Sequence, residues 1–129
     1  MSEPFPVDLK YSKEHEWVKV DGKTALVGIT HHAQDQLGDV VYVELPPVGK
    51  EIKAMEEFGV VESVKSVSSL FCPVSGKVVE ANSALNNSPQ LVNDDPYGKG
   101  WIIKVEMGNP ADTNALLSAA DYKKLVEAK

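Results

Sequence analysis

The sequence contains no arginine: all thirteen of its basic side chains are lysines, set against nineteen acids for a formal net charge of −6. Arginine supplies the planar fork that grips phosphate bidentately, so an acidic chain without one is poorly equipped to hold nucleic acid or a phosphorylated ligand. Cysteine is scarce as well. Cys72 is the single one, cannot form an internal disulfide, and suits a reducing compartment. No run approaches the ~18–20 consecutive apolar residues that span a bilayer, and Val40-Val41-Tyr42-Val43, the longest β-rich run, is bounded by Asp39 and Glu44. Met1-Ser2-Glu3-Pro4 has neither the order of a secretory signal nor the composition of a transit peptide. The expectation is a chain with no nucleic-acid or membrane partner. Its expected place is the cytoplasm of a bacterium, or the mitochondrial matrix if a presequence has been removed.

What is present fits one domain over 1–129, with about 1–10 as an extension and 111–129 as a helical tail; 43% of the residues are hydrophobic and 25% charged. Trp17-Val18-Lys19-Val20 and Thr24 to Ile29 alternate like strands around Asp21-Gly22, a hairpin turn. Thr30 is placed to cap a helix over His31 to Leu37, closed by Gly38 in a left-handed conformation. A strand from Asp39 to Leu45 stops at Pro46-Pro47. Gly49-Lys50-Glu51-Ile52-Lys53-Ala54 is echoed by Gly76-Lys77-Val78-Val79-Glu80-Ala81, and on sequence alone chance and pseudo-repetition stand level. Between the copies lie two β-rich runs, Gly59 to Lys65 and one through Leu70-Phe71-Cys72, with Lys65 near the bend. Asn86-Asn87-Ser88-Pro89 reads as a loop feeding a helix capped by Ser88, followed by a strand over Trp101 to Val105. Leu116, Leu117, Tyr122, Leu125 and Val126 recur at helical spacing, with Ser118 and Asp121 as a capping pair. Short strands with small inserted helices and a helical tail favour a β sandwich or barrel.

Candidates for chemistry are few. His31 and His32 are adjacent, so a helix turns them apart and they make a poor metal pair. Cys72 reads as a packing residue, Met55 and Met107 as core, and Glu56-Glu57 and Asp94-Asp95 as solvated faces. His15-Glu16-Trp17 reads first as a strand start with its tryptophan packed, and second as a ligand pocket. No P-loop, dinucleotide fingerprint or paired-cysteine motif occurs. The lysine at the bend remains. An exposed amine is protonated at neutral pH, so acylating it needs an enzyme that activates the acid and selects this one lysine. A tight hairpin makes that selection possible, while an ordinary turn lysine is the commoner case.

Gly59-Val60-Val61-Glu62-Ser63-Val64-Lys65-Ser66, followed by Pro73-Val74-Ser75-Gly76, resembles the lipoyl-attachment hairpin of the H-protein family of the glycine cleavage system. Tyr11-Ser12-Lys13-Glu14-His15-Glu16-Trp17, Val27-Gly28-Ile29-Thr30, His32-Ala33-Gln34, Val43-Glu44-Leu45-Pro46, Leu91-Val92-Asn93 and Gly100-Trp101 extend the resemblance from about Leu9 to the C-terminal helix. It implies a mainly β, lipoyl/biotinyl-domain-like barrel-sandwich hybrid with short inserted helices and a C-terminal helix. It also implies lipoate in amide linkage on Lys65, with Glu62 and Gly76 read by the lipoylating enzymes.

The implied role is a non-catalytic carrier. Its partners are a pyridoxal-phosphate glycine decarboxylase, an aminomethyltransferase, a flavin-dependent dihydrolipoyl dehydrogenase and the lipoylating enzymes. Glu16 matches a carboxylate of the family's arm pocket. A serine often found two residues before it is Glu14 here, which either strengthens the hold on an amine or is merely exposed. Biotin carriers flank their lysine with methionines and 2-oxo acid dehydrogenase lipoyl domains carry Asp-Lys-Ala; Val64-Lys65-Ser66 is neither. A lipoate-relay protein, or an interaction module on the same fold, remains the alternative.

Overall fold

A computed structural model describes residue 6, residues 8–108 and residues 110–127. Alternation of apolar and polar residues gives two antiparallel sheets. The larger is built from β1 (Lys10–Tyr11), β2 (Glu16–Asp21), β3 (Thr24–Ile29), β5 (Glu51–Ile52), β8 (Gly76–Ala81) and β9 (Ile103–Met107), in the order β1-β2-β3-β9-β8-β5. The smaller contains β4 (Val40–Glu44), β6 (Glu57–Ser63) and β7 (Val67–Phe71), in the order β4-β6-β7. Val18, Val27 and Val105 of the first sheet share one core with Val43, Val61 and Leu70 of the second. Each such buried side chain contributes on the order of 1.5–3 kcal/mol. The sheets form a sandwich and do not close into a barrel.

The first hairpin pairs Asp21 with Thr24, so its two-residue loop is Gly22-Lys23, one position later than the sequence suggests. Thr30 caps α1 (His31–Leu37) as expected, its hydroxyl accepting from the Ala33 N–H. Gly38 follows with φ 81 and ψ −157. Its φ is positive, but its ψ is extended rather than left-handed helical. The two echoed segments are hydrogen-bonded neighbours, Glu51 opposite Lys77 and Ile52 opposite Gly76.

Several expectations are corrected. Asn86 and Asn87 belong to α2 (Ala84–Asn87), and Ser88 follows as its C-cap. The next helix, α3 (Leu91–Asp94), has no side-chain cap; the Ser88, Pro89 and Gln90 carbonyls serve it, accepting from the Leu91, Val92 and Asn93 N–H groups. The last strand begins at Ile103 rather than Trp101. Leu117 is not helical: its backbone bridges Tyr11, after a 3-10 turn over Pro110–Ala115. Only α4 (Ala119–Glu127) is α-helical in the tail, and there the Ser118 hydroxyl does accept the Asp121 N–H. Met55 is 46% exposed, on a turn with φ 66, whereas Met107 is buried. Among the described residues no helix is long and apolar enough to cross a membrane.

A second apolar cluster fastens α4 to the outer side of β1 and β2. Tyr122 stacks on Tyr11 with ring centroids 4.8 Å apart, and both are fully buried with Trp17. Trp17 donates its indole N–H to the Pro96 carbonyl at 2.8 Å. Because both faces are covered there, the first residues of β2, Glu16 included, are buried although the strand's far end is exposed.

Candidate functional site

Ser63 to Ser66 close the hairpin between β6 and β7, with Glu62 paired opposite Val67. Ser63 holds this turn. Its N–H donates to the Ser66 carbonyl at 2.8 Å, and its hydroxyl oxygen accepts the Ser66 and Lys65 N–H groups at 3.0 and 3.3 Å. The Val64 N–H donates to the Asp39 carbonyl at 3.0 Å, fastening the tip to the corner between α1 and β4. Asn93 braces that corner in turn: Oδ1 accepts the Val40 N–H, and Nδ2 donates to the Gly38 carbonyl, each at 2.8 Å. The backbone under Lys65 is thus fixed from two directions while its side chain is exposed, between the exposed valines 64 and 67.

A cavity of about 600 Å³ opens beside the hairpin. Its walls are Ser66 to Leu70 of the hairpin and β7, His32, Ala33 and Leu37 of α1, and Val126 of α4. The Glu14-His15-Glu16 turn completes it. His15 has φ 71, strained for a residue with a side chain. It is held there by its N–H to the Ser12 carbonyl, by its own carbonyl accepting the Thr30 N–H, and by a 2.7 Å contact between Nδ1 and the Tyr122 hydroxyl.

Glu16 is 1% exposed. Its Oε1 accepts the Ser12 hydroxyl at 2.6 Å and its Oε2 the Phe71 N–H at 3.3 Å. Burial dominates these bonds and pushes its carboxyl up to about 8, so the acid is largely protonated at neutral pH. The carboxylate implied by the resemblance is therefore a neutral acid in the arm-free protein, and a nearby ammonium would favour its ionised form. Glu14 is exposed on the cavity wall, close enough to raise Glu16 further by repulsion. The serine hydroxyl that bonds this acid is that of Ser12. Sequence reasoning passed over Ser12, Asn93 and Tyr122, although the first two stand in motifs that carried the resemblance.

Glu62 is half-buried on β6, one residue before Ser63 and opposite Tyr42 and Val67. Gly76 lies elsewhere, at the start of β8 in the larger sheet. It lines a second cavity of about 530 Å³ with Glu51, Lys77 and Glu106. A Cβ there would collide with the Glu106 carbonyl oxygen and sit 2.5 Å from Val105 Cγ1, so the approach of β8 to β9 by itself demands glycine. Lys65, Glu62 and the Glu16 cavity thus gather around one hairpin, and Gly76 does not join them. Among the described residues no group of three or more His, Cys, Asp or Glu is placed to hold a metal.

A sandwich of two antiparallel sheets offering one lysine on a tight hairpin is a fold of the lipoyl and biotinyl carrier class. A family model described as Glycine cleavage H-protein matches residues 9–129, and the chain belongs to that family, the lipoyl carriers of the glycine cleavage system. It is similar to the Glycine cleavage system H protein of Symbiobacterium thermophilum, 66% identical over 117 residues and 91% of each chain. With that of Carboxydothermus hydrogenoformans it shares 63% identity over 122 residues, 95% of this chain and 94% of the other. The crystal structure of a glycine cleavage system H protein from Mycobacterium marinum superposes with a TM-score of 0.87 at 39% identity, covering 95% of this chain and 98% of that one.

Proposed function

We propose that Lys65 carries the lipoyl group in amide linkage and that Glu16 lies in the cavity that shelters the loaded arm. The observation that carries this is a hairpin whose backbone is pinned by Ser63 and Asp39, with its lysine exposed beside a cavity of about 600 Å³. The residues present fit such an arm. Val61, Leu70 and Leu37 offer an apolar lining for an alkyl chain, while Glu14 and Glu16 offer acids to an amine. When attached, the lipoyl group supplies the disulfide that accepts the aminomethyl unit of glycine together with its electrons.

The chain's own work is to present, shelter and dock. The pinned hairpin presents Lys65 to the lipoylating enzymes, which read Glu62 beside it and Gly76. The cavity keeps water from the loaded arm, and Glu16 yields its proton to become the counter-ion of the amine. The acidic surface then meets, in turn, the pyridoxal-phosphate decarboxylase, the aminomethyltransferase and the flavin-dependent dehydrogenase. Bacterial relatives support a cytoplasmic setting.

Reconstitution with glycine decarboxylase tests this reading. The lipoylated wild type is expected to support glycine–bicarbonate exchange and Lys65→Arg to abolish it with the fold retained; exchange by Lys65→Arg would sink the assignment. Glu16→Ala is expected to lose the aminomethyl group from the loaded protein faster. An unchanged decay rate would remove Glu16 from the arm cavity. Failure of the lipoylated wild type to support exchange would leave lipoate relay as the better reading.

A further inference from the structure

Five hydrogen bonds close the turn from Ser12 to Glu16, and one hydroxyl makes three of them. The Ser12 N–H donates to the Glu16 carbonyl at 2.9 Å and the His15 N–H to the Ser12 carbonyl at 3.1 Å. The Ser12 hydroxyl oxygen accepts the Glu14 and Glu16 N–H groups at 3.2 and 3.1 Å, and the hydroxyl itself donates to Glu16 Oε1 at 2.6 Å. A serine hydroxyl has one proton to give and two lone pairs to fill. Both lone pairs are taken by backbone amides here, so its proton has one direction left. Oε1 of Glu16 is thereby fixed as an acceptor. Oε2, the oxygen on the β7 side, accepts the Phe71 N–H at 3.3 Å, so both carboxyl oxygens face donors.

We propose that Ser12 is a positioning residue of the arm cavity: the hydrogen bond it donates locks the Glu16 carboxyl in place and favours the ionised form that pairs with an amine held there. This deepens, and rests on, the reading of Glu16 as an arm-cavity group. An ordinary serine turn needs only the two accepted amide bonds. The short donation to a carboxyl that is itself buried goes beyond that requirement, and both residues are buried, Ser12 at 3% exposure and Glu16 at 1%.

Other titratable groups surround the acid from every packed element. Glu14 shares its turn, His15 and His32 line the same cavity, Cys72 follows β7, and Tyr122 faces it from α4. Among the influences on Glu16, the Ser12 hydroxyl is the largest that opposes burial.

The test follows the Glu16 side-chain carboxyl by carbon-13 NMR through a pH titration of the full-length, unlipoylated protein. Ser12→Ala is expected to move the midpoint upward by about one pH unit, because the donor that favours the ionised form is gone. Ser12→Thr, which keeps the hydroxyl, is expected to restore it to within about 0.3 unit. An unmoved midpoint in folded Ser12→Ala overturns the proposal. Should that variant fail to fold, Ser12→Cys retains the shape with a far weaker donor, and its midpoint must also rise; if it does not, the proposal falls. Because the titration uses arm-free protein, its failure is separate from that of the Glu16 reading, which falls on an unchanged decay rate of loaded Glu16→Ala.

Discussion

The stem of Lys65 lies across Gly38: a Cβ built on that glycine would stand 3.4 Å from Lys65 Cε. The contact itself is tolerable, since the lysine stem can shift, but the backbone is not so forgiving. With φ 81 and ψ −157, Gly38 occupies a region that is nearly closed to residues with a side chain. Gly38→Ala is expected to cost about 1–3 kcal/mol, read as a lower urea midpoint with an unchanged slope. Equal midpoints would show that the corner beneath the hairpin relaxes freely.

Glu16 makes stability depend on pH in a direction opposite to the usual carboxylate. Its proton is held up to about 8 in the folded chain against 4.5 for the ordinary group, so the native state binds more protons between those values. Its favourable contribution is complete below about 4.5 and is lost as pH rises toward about 8, by at most about 5 kcal/mol. Denaturant midpoints taken from pH 5 to pH 8 are expected to fall less steeply for Glu16→Gln than for the wild type. Parallel curves would contradict the burial of an ionisable acid at this position.

Cys72 is expected to be inert. Burial first, and then the charges of Glu16, Asp112 and Glu56, push its thiol up to about 11, and the S–H donates to the Val74 carbonyl at 3.1 Å. The thiolate that reacts is therefore scarce at pH 8, and the sulfur is fully buried. A thiol-specific reagent should leave the native protein unmodified at pH 8 and label one thiol per chain after unfolding. Rapid labelling of the native protein would contradict this.

Elements whose cause is local were readable from the residues. Thr30 caps α1 three residues ahead of Ala33, and Ser118 does the same for Asp121, because both bonds are made within one turn. What failed depends on distant partners. Leu117 has helical spacing with its neighbours but takes its backbone partner from Tyr11, at the other end of the chain. Trp101 looks like the start of a strand, yet its N–H turns back to the Gly98 carbonyl, and regular pairing begins only at Ile103.

The site divides in the same way. Lys65 stood out through the motif around it. Glu16 could be named by resemblance, but its neutral state could not, because its burial comes from β7 and from α4 packing across β2. Ser12 is only four residues from Glu16, and its role was still hidden: nothing in the one-letter pattern says where a hydroxyl proton points.

The central claim is that one lysine among thirteen bears the arm. Intact-mass measurement with peptide mapping, on wild type and Lys65→Arg each expressed with a lipoylating enzyme, tests it most directly. The account predicts a single lipoyl adduct on Lys65 of the wild type and none on the variant. Unmodified wild-type protein under those conditions, or an adduct on any other lysine, would contradict it.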